Sequence, residues 1–130
     1  MMKGGEAHTV TLSKPAVTLL RELKAGGRAD PNDLLFASRK GTSLSDMTLT
    51  KVMRDVDIAF TAHGFRSSFR DWAAEQHPEV PDAVAEAALA HAVPDKVVRA
   101  YKRTKFVEMR RELLEAWGLF VAPLLCHDKQ

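Results

Sequence analysis

The stretch TAHGFRSSFRDWAAEQ, Thr61 to Gln76, is the most strongly patterned segment of this sequence. Phe65, Phe69, Trp72 and Ala73 fall at helical spacing, which predicts an amphipathic helix with one apolar face. His63 and Arg66 are three residues apart, so their side chains emerge on the same side of that helix. They can converge on one anion, or they can be no more than a capping histidine and a surface charge.

Working outward, the flanking segments also read mainly as helices. Upstream, Ser45 or Ser43 can cap a helix running to about Val56, with Met47, Val52, Met53 and Val56 as its apolar side. Ala25 to Asp33 is a polar loop with Gly and Pro, and Leu34 to Ala37 is a short apolar run of strand or turn. Ser13 caps a core helix with Pro15 in its first turn and Val17, Leu20 and Leu23 on one face, ended by Gly26-Gly27. His8 to Leu12 carries β-branched residues in alternation and reads as a strand, with a turn at Gly4-Gly5 before it. Downstream, Val80-Pro81-Asp82 and Val93-Pro94-Asp95 each place a proline where a first helical turn tolerates it. A last long helix starts near Lys105, with Phe106, Met109, Leu113, Trp117 and Phe120 as one stripe, and Pro123 ends it. The expected class is mainly α with a small β-hairpin or sheet at the N-terminal edge, an α+β arrangement.

The 130 residues fit one domain, and 45% apolar with 28% charged residues is ordinary for a globular protein and too apolar for a disordered one. The net charge of +2 is mild, but its distribution is uneven. Lys96 to Arg111 holds seven basic residues against the single acid Glu108, whereas Glu75 to Asp95 holds five acids and no Lys or Arg. Such a cationic stripe is either a solvated surface or a binding site for a polyanion such as nucleic acid. Cys126 is the only cysteine, which rules out an intrachain disulfide and points to a reducing compartment, the cytoplasm. The longest apolar stretch, Trp117 to Cys126, is too short to span a bilayer, and MMKGGEAHTV is no signal segment, so neither membrane nor secretion is expected.

Two further residues join His63 and Arg66. His91 falls in a loop between two predicted helices, and Tyr101, the only tyrosine, follows on a short basic helix. Taken singly, a loop histidine is usually solvated and a helical tyrosine usually core. Together, His-x-x-Arg, Leu-Ala-His and Ala-Tyr-Lys-Arg within about forty residues make a far more specific pattern.

On TAHGFRSSFRDWAAE (Thr61 to Glu75), AVAEAALAHAVPDKVVRAYKRT (Ala83 to Thr104) and MRRELLEAWGLFV (Met109 to Val121), the chain resembles the tyrosine recombinases, and among them the prophage integrases. MKGGEAHTVTLS (Met2 to Ser13) is similar to the family's β-hairpin segment, whose lysine is catalytic. The resemblance implies the C-terminal portion of a recombinase catalytic domain over residues 1–122, followed by a tail over 123–130. It makes Tyr101 the nucleophile that becomes joined to a DNA 3′ phosphate, and Arg66 the second of two phosphate-clamping arginines. His63 then positions or deprotonates the nucleophile, and His91 donates to a phosphate oxygen. Lys3 is the general acid for the leaving 5′ oxygen, or else an ordinary chain-end lysine. No cofactor or metal is implied, because cationic side chains take the charge-neutralising role. The implied partners are double-stranded DNA attachment sites and other integrase subunits.

The chain departs from the family pattern in one respect that matters for activity. A segment resembling Thr-Gly-x-Arg-x-x-Glu, which carries the family's first arginine, does not occur in it, and Arg28 in GGRAD is not that residue. The expectation is therefore an expressed fragment or a truncated prophage gene product, deficient when alone. Competing readings are a type IB topoisomerase-like relative with the same clamp, a noncatalytic DNA-binding or interaction module, and an inert prophage remnant.

Overall fold

Six helices make up the fold in the computed structural model, which describes residues 8–26, 30–91, 93–100 and 103–123. In chain order they are α1 (Lys14–Ala25), α2 (Thr48–Asp55), α3 (Gly64–Gln76), α4 (Asp82–Ala88), α5 (Asp95–Ala100) and α6 (Arg103–Val121). The core lies where α3, α4 and α6 meet, and is built from Phe69, Trp72, Ala73, Val84, Ala85, Phe106 and Leu113. Val84 and Leu113 are its most completely enclosed side chains. Burial of a side chain of this size is worth about 1.5 to 3 kcal/mol relative to exposure, so α4 and the middle of α6 carry much of the stability.

Aromatic rings extend this core toward the end of α6. The Phe69 ring meets Trp117 edge-on with centroids 5.5 Å apart, and Trp72 lies 5.1 Å from Trp117 and 5.7 Å from Phe120. These separations fall in the range where edge-to-face and offset arrangements are favourable. They lock α3 against α6 and so fix the direction in which α3 points its first turn.

The first helix starts as its sequence dictates. The Ser13 hydroxyl accepts the Ala16 N–H, Pro15 occupies the first turn, and the Gly26 N–H closes the C-terminal end on the Glu22 carbonyl. This start is pressed onto α6 at Gly118. A Cβ placed on Gly118 would stand 2.1 Å from Ser13 Oγ and 2.4 Å from Ser13 Cβ, so only glycine admits the approach. Glu115, one turn earlier on α6, accepts the Lys14 N–H at 2.9 Å and puts a carboxylate at the positive end of α1.

Two expectations are corrected here. No β-strand exists among the described residues, so the chain is helical there rather than α+β. His8 to Leu12 is not paired into a ladder, and Val10 and Leu12 are more than half exposed, so the alternation of its side chains covers no core. The predicted hairpin's first half, with Lys3 and Gly4-Gly5, lies outside the described residues. The run Leu34 to Ala37 leads into a turn closed by a single antiparallel bridge between Ala37 and Ser43. In that turn the Ser38 N–H donates to the Thr42 carbonyl, and Gly41 supplies the positive φ of 78°.

The second correction concerns α2. Its N-cap is Met47 and no side chain caps it, while the Ser45 hydroxyl pairs with that of Thr48. Met53 alone of its expected apolar side is buried, and Met47, Val52 and Val56 are exposed. An apolar stripe predicts a face that could be covered, and packing decides whether it is. In α3 the expectation holds for Phe69, Trp72 and Ala73 but not for Phe65, which is exposed.

Candidate active site

Three of the candidate residues, His63, Arg66 and His91, sit at one end of the α3 and α4 pair. The Thr61 hydroxyl accepts the Gly64 N–H at 3.0 Å and starts α3, which leaves His63 exposed at the helix entrance. Arg66 follows in the first turn and is half-buried. Its Nη2 donates to the Leu89 carbonyl at 2.6 Å, across 23 positions of sequence. Leu89 is the C-cap of α4, so this bond ties the guanidinium to the point where α4 ends.

The end of α4 is a tight reversal. The Leu89 N–H returns to the Ala85 and Glu86 carbonyls, Ala90 adopts a left-handed conformation with φ 58°, and the His91 N–H donates back to the Glu86 carbonyl at 2.9 Å. A left-handed residue just past a helix usually is glycine, because a Cβ there is strained. Ala90 bears that strain, and the chain turns so that His91 comes back alongside Glu86.

Side-chain charges complete the arrangement. Arg70, one turn after Arg66 on the same face of α3, places Nε 2.9 Å from Glu86 Oε1. It also donates to the Asp82 carbonyl at 3.5 Å and stands 3.8 Å from the Asp82 carboxylate. The second oxygen of Glu86 pairs with His91 Nδ1. Arg66 thus fastens the end of α4, Arg70 fastens its flank, and His91 is drawn in between through Glu86.

Of the residues singled out from sequence, the fold gathers Arg66 and His91 around the end of α4, and sets His63 exposed at the start of α3 one turn before Arg66. Tyr101 and Lys3 lie outside the described residues. Arg70 and Glu86 were not singled out, although Arg70 stands four residues after Arg66 and Glu86 five before His91. The groove bordered by Met53, Arg54, Ile58 and Phe60 belongs to α2 and the loop after it, and neither Arg66 nor His91 lines it. On the basic stretch, Lys96 and Lys105 are exposed, Arg111 pairs with Glu108 at 3.4 Å, and Arg110 lies over the Phe106 ring. No helix among the described residues is long and apolar enough to cross a membrane.

An arginine and a histidine are thus drawn to one helix end, ahead of a basic stretch of sequence with a lone tyrosine, and the chain belongs to the phage integrase family of tyrosine recombinases, whose model matches residues 1–108. It is 32% identical over 123 residues to the prophage integrase IntA of Escherichia coli strain K12, a match that covers 90% of this chain and 28% of that protein. Prophage integrase IntS of the same organism is 28% identical, and the integrase of Shigella phage Sf6 27%, each over 91% of this chain and 31% of the relative. The chain therefore spans less than a third of the length of these relatives. No solved structure matches it.

Proposed function

We propose that this chain carries the phosphate-binding and nucleophile-bearing part of an integrase that performs site-specific recombination of DNA through a 3′-phosphotyrosine intermediate. The observation that carries the reading is the tie from Arg66 to Leu89, which brings a guanidinium to the helix end from which His91 emerges. One Nη2 proton is committed to the carbonyl, and a guanidinium has further N–H donors with which to grip a phosphate.

In the reaction, the Tyr101 oxygen attacks phosphorus, the P–O5′ bond breaks, and the 3′ phosphate becomes esterified to the tyrosine. A phenol has a pKa near ~10, so the attacking oxygen must lose its proton to a neighbour as it bonds, and His63 is the residue assigned to that step. Arg66 and His91 donate to the phosphate oxygens as negative charge spreads over them. Lys3 gives its proton to the departing 5′ oxygen. The phosphotyrosine keeps the energy of the broken phosphodiester, so a 5′ hydroxyl from another strand can reverse the step and complete strand exchange without a nucleotide triphosphate. The partners are attachment-site DNA and further integrase subunits.

The test is a denaturing gel of a full-length integrase containing this segment with labelled, nicked attachment-site DNA. The intact protein should give a covalent protein–DNA band, and Tyr101→Phe should abolish it while folding and DNA binding persist. A band that survives Tyr101→Phe would mean that the nucleophile is another residue. The 130-residue chain by itself should give little or no band, because a missing donor to the transition state costs about a hundred- to a thousand-fold in rate.

A further inference from the structure

We infer that Glu86 is a positioning residue for His91, holding its ring in one tautomer and one orientation, with Arg70 in turn holding Glu86. The inference rests on the reading of His91 as a phosphate-facing residue and adds what aims it.

The carboxylate of Glu86 is shared between two partners on different elements. Oε1 takes the Arg70 guanidinium of α3 at 2.9 Å, and Oε2 takes His91 Nδ1 in the loop beyond α4. An ionised carboxylate only accepts hydrogen bonds, so Nδ1 must be the donor and must carry the proton. The neutral ring then has its lone pair at Nε2, and the doubly protonated ring has a free donor there. In either state the atom presented away from Glu86 is Nε2, and it is the doubly protonated ring that can donate from there to a phosphate oxygen. The His91 side chain is 45% exposed, so a solute can reach it.

The backbone reinforces this placement. The His91 N–H donates to the Glu86 carbonyl, so main chain and side chain of the same glutamate hold the same histidine. Arg70 prevents Glu86 from turning to solvent, since it meets Glu86 and Asp82 at once. A carboxylate that fixes the tautomer of an imidazole is a recurrent way of orienting histidines at reactive centres, whether they face a metal or a nucleophile. Here the same device would face a phosphate.

The experiment uses the 130-residue chain labelled with nitrogen-15 at histidine, read by long-range proton–nitrogen correlation above the titration range of the ring. In the parent chain His91 should show a pyrrole-like Nδ1 and a pyridine-like Nε2. Glu86→Ala should exchange the two signatures or average them. Glu86→Gln retains an acceptor oxygen and should restore the Nδ1–H form, which separates positioning from charge. Arg70→Met should leave the Nδ1–H form only partly populated. If Glu86→Ala and Glu86→Gln both leave the His91 nitrogens unchanged, Glu86 is merely a surface ion-pair partner and the inference is overturned.

Titration with inorganic phosphate distinguishes this result from failure of the proposed function. With the ring doubly protonated, so that Nε2 carries a donor, phosphate should shift His91 Nε2 in the parent chain, and less so in Glu86→Ala. A tautomer that follows Glu86 with no phosphate response anywhere near Arg66 or His91 would count against the phosphate site and leave the positioning role standing.

Discussion

Arg66 on α3 donates through Nη2 to the main-chain carbonyl of Leu89 at the end of α4. The bond joins two helices at the point where one of them stops, so it serves stability and site geometry together. Removing the donor leaves a partly buried carbonyl short of its partner. Arg66→Met should lower stability by about 1 to 2 kcal/mol, within the range for a charged donor to a carbonyl. Urea unfolding of the two chains measures it, and an unchanged midpoint would show that water replaces the guanidinium without loss.

Arg66→Lys asks a different question. The ammonium keeps the charge but loses the planar fork, so it cannot hold Leu89 and grip a phosphate at two points together. In a full-length integrase carrying this segment, DNA cleavage should fall by about a hundred- to a thousand-fold with little change in fold. Single-turnover cleavage beside a circular dichroism melt reads both quantities.

Gly118→Ala should destabilise the chain despite the better helix propensity of alanine. The added methyl has Ser13 Oγ and Cβ in its way, and the latter belongs to a helix cap that cannot swing aside. Overpacking costs roughly 1 to 3 kcal/mol, and an approach this close to Ser13 belongs to the upper part of that range, which outweighs the gain of about 1 kcal/mol from replacing a helical glycine. A melting temperature equal to or above that of the parent would contradict the packing described at this contact.

Ala90→Gly should act in the opposite direction. The left-handed backbone at φ 58° strains a residue with a Cβ and suits one without. A gain of about 0.5 to 1 kcal/mol is expected, with the His91 to Glu86 pairing retained. Thermal unfolding gives the first quantity and the His91 nitrogen signals the second.

Glu79 offers a test by pH. Its own backbone N–H, and next the His77 side chain, donate to the carboxylate and hold it below the ordinary carboxylate value. The folded value is depressed, so the small stabilisation is present above the unfolded pKa and is lost as pH falls through the folded one. His77→Ala should move the Glu79 titration part of the way back up, as followed by carbon-13 carboxyl shifts.

What the sequence revealed was mostly local. The Ser13 cap, the prolines Pro81 and Pro94 at helix entrances and the periodicity of Phe69, Trp72 and Ala73 depend on residues within a few positions of one another, and each stands as read. What it concealed depends on remote partners. The β-branched run His8 to Leu12 could be a strand only with another strand beside it, and its composition does not reveal that there is none among the described residues. The stripe on α2 is periodic yet largely uncovered for the same reason. At the end of α4, Arg66 and His91 stand out in the sequence because the family pattern carries them, whereas Glu86 reads as one more acid in an acidic stretch. Its role depends on the Ala90 turn that returns His91 to it, and nothing in the spelling Leu-Ala-His announces a left-handed alanine.

The contact between Ser13 and Gly118 also bears on the order in which this protein is completed. During synthesis α1 emerges well before α6, on which its principal packing surface lies. Twelve residues of helix are marginal in water without a partner. Of these two helices the earlier made therefore waits for the later, and it docks only after the stretch between them, residues 26–102, has been synthesised.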